Sequence, residues 1–157
     1  RKGMGCVGIH HTNCDVAPFS SLLPTLKDVP IVTAATVVHN KATGEWILLV
    51  VNQALWLGDE EDHSLICPNQ LRMNGIMCDD IPLHLARLHR GSVLLHGIRL
   101  DAGKVLPFTM DGTISKLDIR TPTDKEIETL PRYELSSPKI WDPQLKELED
   151  REREYEA

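Results

Sequence analysis

The sequence is poor in aromatic residues and in cysteine, and it has no long uninterrupted apolar run. Aromatic residues make up only 4% of the 157 positions, so a core must come from Val, Ile and Leu, whose branched side chains favour β structure. The cysteines number four, too few for a disulfide scaffold in a chain of this length. We therefore expect reduced thiols and a location in the cytosol or nucleus.

The chain also lacks the features of a membrane protein and of a nucleic-acid-binding protein. Its longest apolar run, residues 47–57, is interrupted by Asn52 and Gln53 and falls short of the roughly 20 residues that cross a bilayer. No signal-peptide pattern opens the sequence. Acidic residues outnumber Lys and Arg by 23 to 17, for a net charge of −6, which disfavours a phosphate-binding surface. We expect no membrane and no direct nucleic-acid partner.

The length fits one domain followed by a charged tail. We assign residues 1–141 to the domain and residues 142–157 to a charged C-terminal helix or tail, where Glu147 and Arg151 have the favourable i, i+4 spacing. Its few apolar positions favour a solvated helix over a dimerisation helix.

Two apolar runs at residues 31–38 and 45–52 predict an antiparallel pair of strands. Between them, residues 39–45 are polar and include Asn40 and Gly44, which tolerate the positive φ angles of a hairpin turn. Residues 1–13 are interpreted as a flexible N-terminal segment, and residues 14–26 as a connecting loop. The strongest local prediction is therefore the hairpin.

Short helices are predicted at two places. Pro68 suits the start of a helix over residues 69–74 and Gly75 suits its end, with Leu65, Leu71 and Met73 as candidates to pack it. A Thr three residues before Glu126 predicts a capped helix over residues 124–129. Further strands are predicted at residues 76–78, 92–100, 104–109 and 113–119.

Several phrases along the chain carry a family resemblance: Asp28-Val29-Pro30-Ile31-Val32-Thr33, Asn52-Gln53-Ala54-Leu55, Pro68-Asn69-Gln70-Leu71-Arg72 and Arg120-Thr121-Pro122-Thr123. Their order resembles the protease region of copia-type retrotransposon polyproteins. The resemblance spans about residues 14–141. These phrases are not catalytic motifs, so they point to a lineage more than to an activity.

The resemblance implies a mainly β fold: a closed, barrel-like retropepsin-type domain with a few short helices and the charged C-terminal helix. It also implies a homodimer in which each copy supplies one aspartate of a pair that shares a proton, and a flap-like hairpin at residues 39–45. An ordinary exposed hairpin is the alternative for that segment. The implied partners are a protein or peptide and a second copy of the chain.

The Asp-Ser/Thr-Gly triplet of such proteases is absent from the sequence. Asp111-Gly112-Thr113 has the residues in the wrong order, and Asp15 is followed by Val16. The catalytic residues therefore stay unassigned: the aspartate either preceded Arg1 or has been lost from this copy. The expected function is a protease-like domain of a copia-type retroelement polyprotein, inactive in this chain; the alternative is a non-catalytic structural or interaction module derived from such an element.

Residue spacing gives little support to a metal site or to another catalytic site. Cys6, His10, His11 and Cys14 cluster, but without a second pair of zinc ligands. A nucleophilic pair of His63 and Cys67 needs helical geometry that Pro68 opposes. Cys67 and Cys78 are expected to be buried, and Asp79-Asp80 and residues 59–62 to be solvated acidic loops. We expect no metal and no cofactor.

Overall fold

The structure is a computed structural model that describes residues 2–3, 5–18, 20–58, 63–101, 103–143 and 146–156. Strands are its main elements: β1 Lys2–Gly3, β2 Cys6–Val16, β3 Leu26–His39, β4 Trp46–Leu55, β5 Cys78–Asp79, β6 Gly97–Asp101, β7 Lys104–Pro107, β8 Thr109–Asp111, β9 Ile114–Lys116, β10 Ile119–Arg120 and β11 Arg132–Glu134. The helices are α1 Pro68–Met73, α2 Asp124–Thr129 and α3 Lys146–Glu156, with a 3₁₀ turn at Ala86–Leu88. The prediction of a mainly β fold with a few short helices and a C-terminal helix is confirmed.

The largest sheet is built around the predicted hairpin. Its strand order is β1-β2-β3-β4-β11, and β10 pairs with the end of β3. Strands β3 and β4 are antiparallel, with Val38 opposite Ile47 and His39 opposite Trp46. The predicted hairpin is confirmed. Its two strands form the centre of the fold because both carry runs of branched apolar residues that fill a sheet buried on its faces.

One bulge interrupts this central pairing. Val32 lies opposite Ala54 while Ala34 lies opposite Val51, so β4 contains one residue more than β3 between these pairs. Gln53 takes up the difference with φ of 55°. A left-handed residue in a bulge turns the strand and leaves nearby carbonyls without ladder partners.

Two smaller sheets lie beside the large one: β5-β6-β7 and the β8-β9 hairpin. The predicted strands are thus present only in part, since residues 76–77, 92–96, 108, 113 and 117–118 lie outside the observed strands. Within the described residues, the strand pairings form three open sheets, and no closed barrel is formed among them.

The core fills the space between the large sheet, the β5-β6-β7 sheet and α1. Its fully buried members are Val38, Ile47, Leu49, Leu71, Cys78, Ile98, Leu106 and Leu135. Val37, Leu48 and Val50 pack on the opposite face of the β3–β4 pair. Burying aliphatic side chains on both faces explains why β3 and β4 read as continuous apolar runs rather than as alternating ones.

The helix predictions are confirmed in detail. Helix α1 starts at Pro68, and Gly75 follows it with φ of 76°. Helix α2 has the capping box: Thr123 Oγ1 accepts from the Glu126 amide, and the Glu126 carboxylate accepts from the Thr123 amide. Among the described residues, no helix is both long enough and apolar enough to cross a membrane.

Three local predictions are wrong. Residues 6–16 form a long strand instead of a flexible segment and loop, because β3 supplies its hydrogen-bond partners from elsewhere in the chain. Leu65 does not pack on α1, since it is 94% exposed, and Met73 is half exposed. Cys67 is exposed, whereas Cys78 is buried as predicted.

Candidate functional site

Buried polar side chains are the best guide to sites in this fold, because a polar group is kept from water only when it has partners. Most of the buried polar residues belong to two groups. One surrounds Asn52 and the other surrounds Asp79. Their members are Thr36, Asn40, Asn52, Gln70, Asp79, His96 and Ser136, of which Thr36 and Asn40 lie outside the two groups.

The Asn52 group closes the bulge of β4. The Asn52 amide donates to Ser136 Oγ at 2.8 Å, and Ser136 Oγ donates to the Asn52 carbonyl at 2.7 Å. Gln70 Nε2 lies 3.3 Å from the carbonyls of both Asn52 and Gln53. The groups that the bulge removes from the ladder are thereby paired by α1 and by the segment after β11.

The Asn52 side chain extends this network across the sheet. Its Nδ2 donates to the Ser136 carbonyl at 2.9 Å, and its Oδ1 accepts from Thr33 Oγ1 at 2.9 Å. Thr33 Oγ1 is also 2.7 Å from His11 Nε2 on exposed β2. One connected set of polar groups therefore joins β2, β3, β4, α1 and the C-terminal part of the domain.

The Asp79 group is built around one buried carboxylate. Asp79 Oδ1 accepts from the Ile81 amide at 3.2 Å. Its Oδ2 accepts from Ser92 Oγ at 3.1 Å and from the Leu95 amide at 3.0 Å, with the His96 amide at 3.5 Å. All these donors belong to the segment between β5 and β6, so the carboxylate holds that segment at both ends.

These donors keep Asp79 ionised. Burial by itself raises the pKa of the carboxyl, but the amides of Leu95 and Ile81 and the Ser92 hydroxyl outweigh it, so the pKa of Asp79 lies below its ordinary value. Because its donors all belong to the segment between β5 and β6, Asp79 has the environment of a structural anchor for that segment.

A histidine and a serine lie beside this anchor. His96 Nε2 is 2.9 Å from Ser115 Oγ, and the His96 ring meets Phe108 edge-on with centroids 5.6 Å apart. The distance suits a base and a hydroxyl nucleophile. Asp79, however, accepts a hydrogen bond from the backbone amide of His96 and not from its ring. The contact joins the β8-β9 hairpin to the Asp79 segment.

Asp79 corrects a prediction. The pair Asp79-Asp80 was expected to be a solvated acidic loop; Asp80 is exposed and pairs with Arg72 at 3.1 Å, whereas Asp79 is 7% exposed. Sequence gives no local sign of this difference, because the donors come from residues 81, 92, 95 and 96. The acidic run at residues 59–62 lies outside the described residues.

The four candidate metal ligands lie along β2. His10 Nε2 bonds Asn13 Oδ1 at 2.7 Å, and Cys6 Sγ lies 3.8 Å from Ser64 Oγ. In the described part of the chain, no group of three or more His, Cys, Asp or Glu side chains is arranged to hold a metal ion. The proposed His63–Cys67 pair lacks the helical geometry it requires, since residues 63–67 precede α1 and are not helical.

The two near-matches to an aspartate triplet lie on the surface. Asp111-Gly112-Thr113 forms the turn between β8 and β9. The Asp15 carboxylate accepts from the Asp28 amide at 3.1 Å and pairs with Lys27 at 3.2 Å. Both aspartates are exposed, so neither has the buried setting of a water-activating carboxylate.

The hairpin tip at residues 39–45 is fastened to β7. Asn40 is 1% exposed, accepts from the Ala42 amide and donates to the Val105 carbonyl at 3.2 Å. Glu45 pairs with Lys104 at 3.6 Å. These contacts give the tip the character of a fixed turn, as in the ordinary-hairpin interpretation of this segment.

Comparison with protein-family models, with curated proteins and with solved structures gave no match to this chain.

Proposed function

We propose that this chain is a protease-like domain of a copia-type retroelement polyprotein that does not itself cleave peptide bonds and that pairs with a second copy along the outer edge of β2. The open edge of β2 is the observation that carries the binding part of this proposal. The sequence phrases that resemble copia-type elements support the assignment of the lineage.

Strand β2 has a partner on one side for only part of its length. Its pairing with β1 reaches Cys6 and Val7, whereas β3 pairs along its other side as far as Val16. In the part of the chain that the structure describes, no strand lies beside residues 9–16 on the outer side. An open edge offers backbone hydrogen bonds to an added strand.

The edge is shaped for a short and specific pairing. His11 is an extra residue between the pairs His10–Val32 and Thr12–Ile31, and such a bulge limits long, indiscriminate strand addition. Ile9 is 69% exposed just before the bulge. An exposed branched side chain on an open edge supplies apolar contact to a strand that pairs there.

The lineage is supported by where the family phrases fall in the fold. Asn52-Gln53 forms the bulge of β4, and Gln70 of the Pro68–Arg72 phrase pairs its carbonyls. Residues shared by a lineage are expected where the backbone departs from regular geometry and needs particular side chains. We extend the proposal to the finer fold, in which this mainly β domain derives from the barrel-like retropepsin type.

The absence of cleavage follows from the missing triplet. A facing pair of aspartates has to share a proton and activate water, and the sequence has no Asp-Ser/Thr-Gly. Asp79, the one buried acidic residue among those described, accepts hydrogen bonds from donors of its own loop. Incubating the protein with a peptide library at mildly acidic pH should give no cleavage above background; cleavage abolished by an inhibitor of paired aspartates would contradict this.

The pairing is tested by sedimentation equilibrium on three proteins. Wild type should dimerise, and Ile9→Lys should weaken the dimer about tenfold or more, because a charge on an edge opposes strand addition. Leu22→Lys is the matched control, since Leu22 is 92% exposed and lies outside β2. A wild type that stays monomeric at all concentrations, or an unchanged Ile9→Lys dimer, rejects the proposal.

The alternative is an element-derived module that its host uses for protein interaction. The two differ in the residues that precede Arg1 in the complete reading frame. An Asp-Ser-Gly or Asp-Ser-His there supports the protease lineage with a catalytic residue outside these 157 positions, and an unrelated sequence supports the module.

A further inference from the structure

Residues 81–95 form a loop whose two ends are held by the same carboxylate, that of Asp79. Asp79 accepts from the amide of Ile81 at 3.2 Å and from the amide of Leu95 at 3.0 Å. Inside the loop, Ala86 starts a 3₁₀ turn and is 4% exposed. Compact loops with closely held ends often carry binding functions, because their shape is set by the scaffold that holds them.

This loop exposes apolar side chains. Its exposed large apolar residues are Leu83, Leu85, Leu88, Val93 and Leu94; we call them the Leu88 surface. Leu88 is 77% exposed and Leu94 is 61% exposed. Five exposed large apolar residues within one 15-residue loop whose ends are held in place make this loop a candidate interaction site.

The charge of the loop is opposite to that of the whole chain. Residues 81–95 include Arg87 and Arg90 as well as His84 and His89, and no acidic residue, while the chain carries a net charge of −6. Both arginines are exposed, and neither forms an ion pair with a described carboxylate. Their guanidinium groups are available to bind carboxylates at the edge of an apolar contact.

We infer that the Leu88 surface binds an acidic amphipathic helix of a partner protein. A helix with apolar residues at i, i+3, i+4 and i+7 offers a strip for the leucines, and its flanking carboxylates complement Arg87 and Arg90. This site lies on a different sheet and loop from the β2 edge, so it is independent of the pairing proposed above.

A protein partner fits better than an anionic membrane. The loop has no Trp, Tyr or Phe, the residues that anchor proteins at a bilayer interface. Two formal cations on a chain of net charge −6 also give little attraction to an acidic lipid surface, where several basic residues act together.

The probe is a synthetic helical peptide of about 15 residues, with Leu at i, i+3, i+4 and i+7 and Glu on the remaining faces, labelled for fluorescence anisotropy. Its matched controls are a peptide of the same composition with the leucines scrambled and a peptide with Lys in place of Glu. Wild-type protein should bind the first peptide and neither control. Binding should weaken with added salt, because the rim contacts are ionic.

Protein variants locate the contact. Arg87→Glu and Arg90→Glu should each weaken binding about tenfold, whereas Arg99→Glu, the same change at an exposed position of β6, should not. Leu88→Ser should reduce binding by a similar factor, with Leu22→Ser as its control. All these side chains are exposed, so the variants keep the fold, which circular dichroism verifies.

Three outcomes would overturn the inference. They are no binding of the amphipathic peptide by wild type, equal weakening by Arg99→Glu and Arg87→Glu, and sedimentation with phosphatidylserine vesicles in place of peptide binding.

Discussion

The hydroxyl of Ser136 and the backbone of Asn52 hold each other through two reciprocal hydrogen bonds, 2.8 Å from the Asn52 amide and 2.7 Å to its carbonyl. Ser136 thereby takes the place of a neighbouring strand at the bulge of β4. The neighbouring amide of Leu135 continues the register by donating to the Val50 carbonyl at 2.8 Å. The bulge is thus completed by residues far away in sequence.

Replacing this hydroxyl should destabilise the whole domain. Ser136→Ala leaves the buried amide and carbonyl of Asn52 without these partners, which we expect to cost about 1–3 kcal/mol of unfolding free energy. Urea denaturation followed by tryptophan fluorescence measures the change. Ser137→Ala is the control, because the Ser137 hydroxyl accepts from the exposed Lys139 amide; equal losses in the two variants would contradict the assignment.

Neutralising the Asp79 anchor should loosen the loop at residues 81–95. Asp79→Asn replaces an oxygen that accepts from Ser92 and Leu95 with either an amide that cannot accept or a weaker neutral acceptor. We expect a loss of about 1.5–3 kcal/mol, the range for hydrogen bonds to charged groups, and faster amide exchange at residues 81, 95 and 96. Hydrogen exchange followed by mass spectrometry measures the amide exchange rates at both ends of the loop. The exposed neighbour serves as control: Asp80→Asn should leave the exchange unchanged.

A methyl group at Gly97 should be poorly tolerated. A Cβ there would lie 2.4 Å from the Leu106 carbonyl oxygen and 3.0 Å from Pro107 Cα, and both are backbone atoms of the paired strand β7. Gly97→Ala should therefore force the strands apart at a cost of about 1–3 kcal/mol. Gly103→Ala is the comparison, since a Cβ there meets nothing within 4 Å and costs only the strain of φ at 79°, about 1 kcal/mol. Thermal melts should rank the two in that order.

The Glu126 carboxylate should make stability depend on acid. Paired hydrogen bonds from Arg120, followed by the Thr123 amide, lower the pKa of Glu126 to about 2. Because the folded pKa lies below the ordinary value of 4.5, this carboxylate stabilises the fold fully above that value, and the contribution is lost as the pH falls through about 2.

Glu126→Gln should be less stable than wild type near neutral pH, and the difference should shrink between pH 4.5 and 2. Unfolding free energies measured across this range test the sign. Glu128→Gln, on the same helix but exposed and outside the capping box, should track wild type; a gap between wild type and Glu126→Gln that widens with acid would refute the expectation.

Features set by neighbouring residues could be predicted from the sequence. The β3–β4 hairpin follows from two apolar runs around a polar turn, and α2 follows from Thr123 and Glu126, because their signals span a few positions. Helix α1 was equally local, bounded by Pro68 and Gly75. The lineage, the homodimer and the absence of cleavage stay proposals, since they do not follow from local structure.

Features set by distant partners could not be predicted. Strand β2 is largely polar and exposed, so nothing within it marks a strand, and β3 determines its conformation. The burial of Asp79 depends on donors up to 17 positions away. Asp79 and the adjacent Asp80 differ in burial because Ser92 and Leu95 donate hydrogen bonds to Asp79, whereas Asp80 pairs with Arg72 at the surface.

The parallel pairing of β11 with β4 has a consequence for synthesis. Asn52 and Ser136 are 84 positions apart, so a ribosome must release most of the domain before the far side of β4 is covered. Until then, the apolar side chains of Ile47–Val50, which are among the most deeply buried in the folded chain, are exposed to solvent. Nascent chains that stop before residue 132 should for this reason bind chaperones or precipitate, whereas chains that include residues 132–136 should do so less.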